Sequence, residues 1–134
     1  MTHISKRVVS TATLKQIDEL ILASFTDTGT KERQQIFREL LTKTERLMLA
    51  KRLAMLSLIQ KNVSTFHISR LLQVSPSTVA RFEVEVDQGK YRHTSAWLST
   101  YRKLHKILRL LANLTVIPFQ ARRNSFAKIV NESW

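Results

Sequence analysis

Apolar positions along the chain recur mostly at intervals of three and four, the spacing of helices with one face turned to a core. Leu14, Ile17, Leu20, Ile21 and Phe25 follow it first, with Asp18 and Glu19 on the opposite side. The cluster Asp27-Thr28-Gly29-Thr30 breaks this helix and offers a cap for the next, whose apolar face is Ile36, Phe37, Leu40 and Leu41. Thr42-Lys43-Thr44-Glu45 then offers caps for a third. Over residues 47–59 that third helix is apolar around nearly its whole circumference, interrupted by Lys51 and Arg52. A helix of this kind must be buried on several sides. In a chain of 134 residues a second copy is the simplest cover, so a homodimer is expected.

Lys61-Asn62-Val63 ends the third helix, and residues 64–85 read as two short helices crossing at a steep angle. Ile68 and Leu72, one turn apart, form the inner face of the first; Val74 plugs the turn; Val79 and Phe82 face back from the second. This spacing fits a helix-turn-helix. Ser69 is small where a bulky side chain would hold the helices apart, and Ser64 and Ser75 stand at N-cap positions, Ser75 followed by Pro76. Gln73 sits in the turn where glycine is usual, and a left-handed backbone there costs a non-glycine residue about 1–2 kcal/mol. The same apolar residues would also serve a plain helical hairpin. The added Ser-Pro cap favours the DNA-binding motif.

Asp87-Gln88-Gly89-Lys90 reads as a stop. The next helix is expected to begin near Thr94-Ser95, burying Trp97, Leu98, Tyr101, Leu104, Leu108 and Leu111, with Arg102, Lys103, Lys106 and Arg109 on a basic face. Pro118 marks another break, and residues 125–130 suit a last short helix. The expected fold is all-α, a helical bundle with a helix-turn-helix and an extra basic C-terminal helix. Its divisions are a flexible arm (1–10), a helix-turn-helix domain (11–88) and a basic helical extension (89–134). Only two glycines and two prolines are present, which suits helices better than a loop-rich β fold.

Charge narrows the partners. The net charge is +12, and residues 88–134 hold +8 of it, with nine basic side chains against the single carboxylate Glu132. Such an excess favours polyanions, because each cation that meets a phosphate releases a condensed counterion. Nucleic acid and an acidic membrane surface both qualify on charge alone. The absence of cysteine removes disulfides, thiolate zinc sites and thiol nucleophiles. His3, His67, His93 and His105 lack ligand spacing, so neither metal nor cofactor is expected. No glycine-rich phosphate loop or paired catalytic carboxylates are visible, which argues against an enzyme. The N-terminus lacks an apolar signal segment, and residues 47–59 are too short to span a bilayer. The reading is a cytoplasmic protein without a membrane partner.

Helix N-termini direct free N–H groups towards phosphate, and short hydroxyl and methyl side chains allow close approach to base edges. The expected DNA-binding residues are Ser64, Thr65, Arg70, Ser75, Pro76, Ser77, Thr78, Ala80 and Arg81, on double-stranded DNA. Glu83, Glu85 and Asp87 lie at the far end of the second helix and are expected to be solvated, or to pair with the basic extension. A basic RNA- or ribosome-associated protein is the alternative that charge supports equally. A replication-initiator-like DNA-binding module is another.

The stretch 37–82 resembles the tryptophan repressor family. The resemblance lies in Leu40-Leu41-Thr42-x-x-Glu45-Arg46, the buried helix carrying Arg52, and the segment Ser77-Thr78-Val79-Ala80-Arg81; residues 44–52 are closest to uncharacterised bacterial members. It implies an intertwined homodimer whose recognition helices meet successive major grooves ~34 Å apart, and repression by occupying an operator. It also implies a small-molecule effector pocket at Thr42, Arg52 and Arg81, two arginines of the repressor sandwiching the indole of bound tryptophan. Phe82 departs from the pattern, because the repressor has glycine there. A phenyl ring fills that space, so free tryptophan is not expected to be the corepressor. The helix after Gly89 lies outside the stretch that carries the resemblance.

Overall fold

The computed structural model describes residues 9–101 together with Arg109 and Leu111. Among the described residues the chain is helical throughout, with α1 (Thr11–Thr26), α2 (Thr30–Leu40), α3 (Lys43–Gln60), α4 (Thr65–Leu72), α5 (Pro76–Asp87) and α6 (Arg92–Thr100). It divides into two compact units, residues 1–45 and 46–134.

In the first unit each helix starts on a local hydrogen bond that satisfies an otherwise orphan backbone donor. The Ser10 hydroxyl accepts from the Thr13 N–H at 3.2 Å and opens α1 three residues ahead of its first apolar position. The Gly29 N–H donates to Glu32 Oε2 at 3.3 Å and opens α2. Helices α1 and α2 pack together, with the rings of Phe25 and Phe37 edge to face at 6.2 Å. Neither helix contains a buried residue. Leu20 is 73% exposed and Leu40 63%, and Leu14, Ile17, Ile21 and Leu22 are also exposed.

Thr42 and Glu45 form a reciprocal capping box for α3. The Thr42 N–H donates to the carboxylate at 2.8 Å and the Glu45 N–H donates to the threonine hydroxyl at 3.2 Å. The Thr42 N–H, and the Thr42 hydroxyl that donates to the same carboxylate at 2.9 Å, hold the Glu45 carboxyl below its ordinary pKa. Within the second unit, Ala54, Met55, Leu56, Ser57 and Leu58 of α3 are buried. Ala54, Met55, Leu56 and Leu58 join Ile68, Leu72, Val79, Phe82, Leu98 and Leu111 in one core. Each large aliphatic side chain buried this way contributes about 1.5–3 kcal/mol. The earlier turns of α3 are less covered, and Met48 and Leu49 are exposed. The helix ends at Gln60, and just beyond it Asn62 takes a left-handed backbone (φ 56°) that lets the Val63 N–H reach the Leu58 carbonyl at 3.1 Å.

The C-terminal side corrects two expectations. Helix α6 begins at Arg92, before Thr94, and ends at Thr100 because Tyr101 adopts an extended backbone. Leu98 and Leu111 are buried as expected, but Trp97 is 49% exposed. Its indole points outward and stacks on the Tyr101 ring at 4.7 Å. Periodicity placed Trp97 on an apolar face without revealing that its own side chain stays half-exposed. Leu104, Leu108, the basic side chains Arg102, Lys103 and Lys106, and the expected helix at 125–130 lie outside the described residues.

Candidate nucleic-acid interface

Helices α4 and α5 pack through the side chains their spacing suggested. Ile68 and Val79 are fully buried, Leu72 and Phe82 nearly so, and Val74 is half-buried in the turn. The turn is held by Ser69, whose hydroxyl donates to the Val74 carbonyl at 2.7 Å while the Val74 N–H donates to the Ser69 carbonyl at 3.2 Å. Ser69 is thus more than a small residue at a close contact: it ties the two ends of the turn together. Gln73 adopts the left-handed conformation (φ 49°, ψ 57°) that the turn requires. Lys51 reaches the Gln73 carbonyl at 3.5 Å, at the limit of a hydrogen bond.

The crossing of the two helices has a second fastening. Thr65, in the first turn of α4, donates its hydroxyl to Glu83 Oε1 at 2.8 Å. Both residues are half-buried. Glu83 is thus half-buried rather than fully solvated, and it has a partner on α4 that its spacing did not indicate. It also engages the Thr65 hydroxyl inside the chain. Glu85 is half-buried too, accepting from Lys90 Nζ at 2.9 Å and from the Tyr91 hydroxyl at 2.9 Å. The Lys90 hydrogen bond leads in lowering the Glu85 pKa, and the same contact raises that of Lys90. Burial, with Glu85 beside it, pushes the Tyr91 phenol up. Asp87 alone of the three is exposed.

The N-terminus of α5 presents short polar groups. Ser75 accepts from the Thr78 N–H at 3.1 Å, and Pro76 takes the first helical position, where no N–H is needed. The Ser75 hydroxyl also lies 3.0 Å from that of Ser77 and 2.7 Å from that of Thr78. Ser75, Pro76, Ser77, Ala80 and Arg81 are exposed, whereas Thr78 is half-buried. On α4, Ser64 and Arg70 are exposed, and Ser64 caps the helix by accepting from the His67 N–H at 3.4 Å. The structure therefore gathers Ser75, Ser77, Ala80 and Arg81 on one helix end, with Ser64 and Arg70 at opposite ends of α4.

The effector-pocket expectation rests on four residues. Thr42 caps α3, and Arg52 and Arg81 are exposed. Phe82 is a core residue, 4% exposed, whose ring stacks almost parallel on that of Tyr91 (5.4 Å, 6°). The Arg81 guanidinium lies 5.9 Å from the Phe82 centroid. Sequence reasoning missed two features here: the Tyr91 stack and the exposed aromatic Phe66, 60% accessible on α4. Spacing signals neither, although an aromatic ring among polar neighbours in the first turn of a capped helix was visible at Phe66.

Two short helices locked across a tight turn, the second opening on a Ser-Pro cap with its outer face free, define a helix-turn-helix of the DNA-binding kind. Residues 8–112 match the Trp repressor protein family, so the chain belongs to that family of DNA-binding transcriptional regulators. The match extends well beyond 37–82 and includes α6, so the helix after Gly89 lies within the family's extent. Comparison with curated proteins and with solved structures gives no match.

Proposed function

We propose that this protein is a sequence-specific transcriptional repressor that binds double-stranded DNA as a homodimer. The observation that carries the reading is the geometry of α5. Val79 and Phe82 anchor its inner face in the core while Ser77, Ala80 and Arg81 stay exposed beside the Ser75 cap. A helix entering the major groove by its N-terminus brings these side chains to base edges and its free N–H groups to phosphate. Ser64, Thr65, Arg70, Pro76 and Thr78 complete the proposed contact surface, Thr65 through its backbone because its hydroxyl is held by Glu83. The dimer is supported by the family and by the uncovered apolar side chains of α1 and α2.

In vitro selection of bound duplexes tests this reading. A palindromic motif with half-sites about one helical turn apart is expected. Structured RNA that competes as well as the selected duplex would overturn it in favour of the RNA-associated alternative. Among the described residues no helix is long and apolar enough to cross a membrane. A cytoplasmic site of action is part of the proposal.

Free tryptophan is not the effector in this reading, because the Phe82 ring is buried against Tyr91 beside Arg81. Thermal-shift measurements with L-tryptophan are expected to show no saturable stabilisation. A clear, saturable one means that the pocket at Thr42, Arg52 and Arg81 is open. The basic extension 89–134 is assigned to phosphate, where it adds affinity without sequence preference.

A further inference from the structure

The outer face of α4 carries a chain of contacts that the helix-turn-helix packing does not use. Ser64 Oγ lies 2.6 Å from His67 Nδ1, fixing the imidazole against the helix cap. That imidazole meets the Phe66 ring edge to face (5.7 Å, 80°). The Arg70 guanidinium, one turn further on, sits over the same phenyl ring at 5.4 Å from its centroid. Phe66, His67 and Arg70 are all exposed, and Phe66 is 60% accessible, so the ring contributes little to the core. A phenyl ring beneath a guanidinium attracts it through the ring quadrupole and restricts an otherwise mobile side chain.

We propose that Phe66 is a positioning residue for DNA binding: its ring holds the Arg70 guanidinium ready for a backbone phosphate. The inference rests on the DNA-binding reading above, in which the first helix of the motif crosses the phosphate backbone. A pre-placed arginine loses less rotamer freedom on contact than one that is free in solution. Phe66 thus acts through Arg70, and neither residue reads sequence.

The experiment measures affinity for a selected duplex and for an unrelated duplex across a range of salt, using the full chain and the Arg70→Ala, Phe66→Ala, Phe66→Tyr and double Ala variants. One phosphate contact accounts for about 0.9 in the slope of log K against log salt, or roughly eightfold in affinity at 0.1 M. Arg70→Ala is expected to lose about that much on both duplexes. Phe66→Ala is expected to lose about threefold or more on both, Phe66→Tyr to restore binding, and the double variant to match Arg70→Ala alone. Circular dichroism melts check that the exposed positions leave the fold intact. Phe66→Ala at wild-type affinity, or losses that add independently in the double variant, would overturn the positioning role. Wild-type protein that binds neither duplex overturns the DNA-binding reading itself.

Discussion

The two units of the molecule are built from similar material and reach different states. Helices α1 and α2 are as clearly amphipathic as α4 and α5, with good caps and an aromatic pair between them. Yet no residue of α1 or α2 is buried, whereas α3, α4, α5 and α6 together close a core around Ile68, Leu72, Val79 and Phe82. Amphipathic periodicity specifies which face seeks cover. It does not say whether the same chain supplies it. In the second unit the cover is internal, and under the proposed dimer the first unit takes its cover from another copy.

Breaking the second unit is expected to have the largest effect. Ile68→Ala leaves a cavity at the centre of the core, and a loss of about 2–5 kcal/mol in denaturant unfolding is expected. A loss below about 1 kcal/mol shows that α4 is less firmly packed than its burial suggests. Leu20→Glu on α1 tests the other side of the contrast. At 73% exposure the substitution leaves the single chain nearly as stable, but it removes about 1.5–3 kcal/mol of apolar burial from each copy in a dimer. Association is then expected to weaken by about 100-fold or more in sedimentation equilibrium. An unchanged association constant removes this face from the dimer interface.

A smaller effect, of opposite sign, is expected in the turn. Gln73→Gly relieves the left-handed strain at φ 49° while keeping the Ser69 clamp, and a net gain of about 0.5–1 kcal/mol in thermal denaturation is expected. A loss means that the Gln73 side chain has a role its exposure conceals.

The smallest effect is an acid-side one. Glu45 and Glu85 both have lowered pKa values, Glu45 from the Thr42 backbone and hydroxyl, Glu85 from Lys90 and Tyr91. Their contribution is full above the ordinary value of 4.5 and fades as pH falls through the lowered values. Melting temperature followed against pH is expected to fall below that point less steeply in Glu85→Gln than in the wild type. Identical profiles would mean that the Lys90 and Tyr91 contacts add nothing to stability.

Much of the helix-turn-helix was legible beforehand because its rules are local. The Ser75-Pro76 cap, the left-handed position at Gln73 and the inward spacing of Ile68, Leu72, Val79 and Phe82 each follow from a few adjacent residues. The rest depended on partners brought together by the crossing of helices. Nothing in the spacing of Thr65 and Glu83, eighteen positions apart, announces a hydrogen bond. Likewise Phe82 was recognised as an obstacle to a ligand, but its stacking on Tyr91 required the reversal at Gly89, where φ is 79°. Trp97 shows the converse failure, an apolar side chain at the right spacing that stays half-exposed.

The Ser69–Val74 and Thr65–Glu83 bonds also bear on how the molecule assembles in time. The first spans five positions and the second eighteen, so α4 and α5 can dock with less loop to close than Leu98 and Leu111 need to reach the same core. A reading head with such local contacts forms early and cheaply in chain entropy. Fast recovery of an interrupted α4–α5 pair is therefore expected to precede completion of the core, an order that pulsed hydrogen exchange during refolding checks.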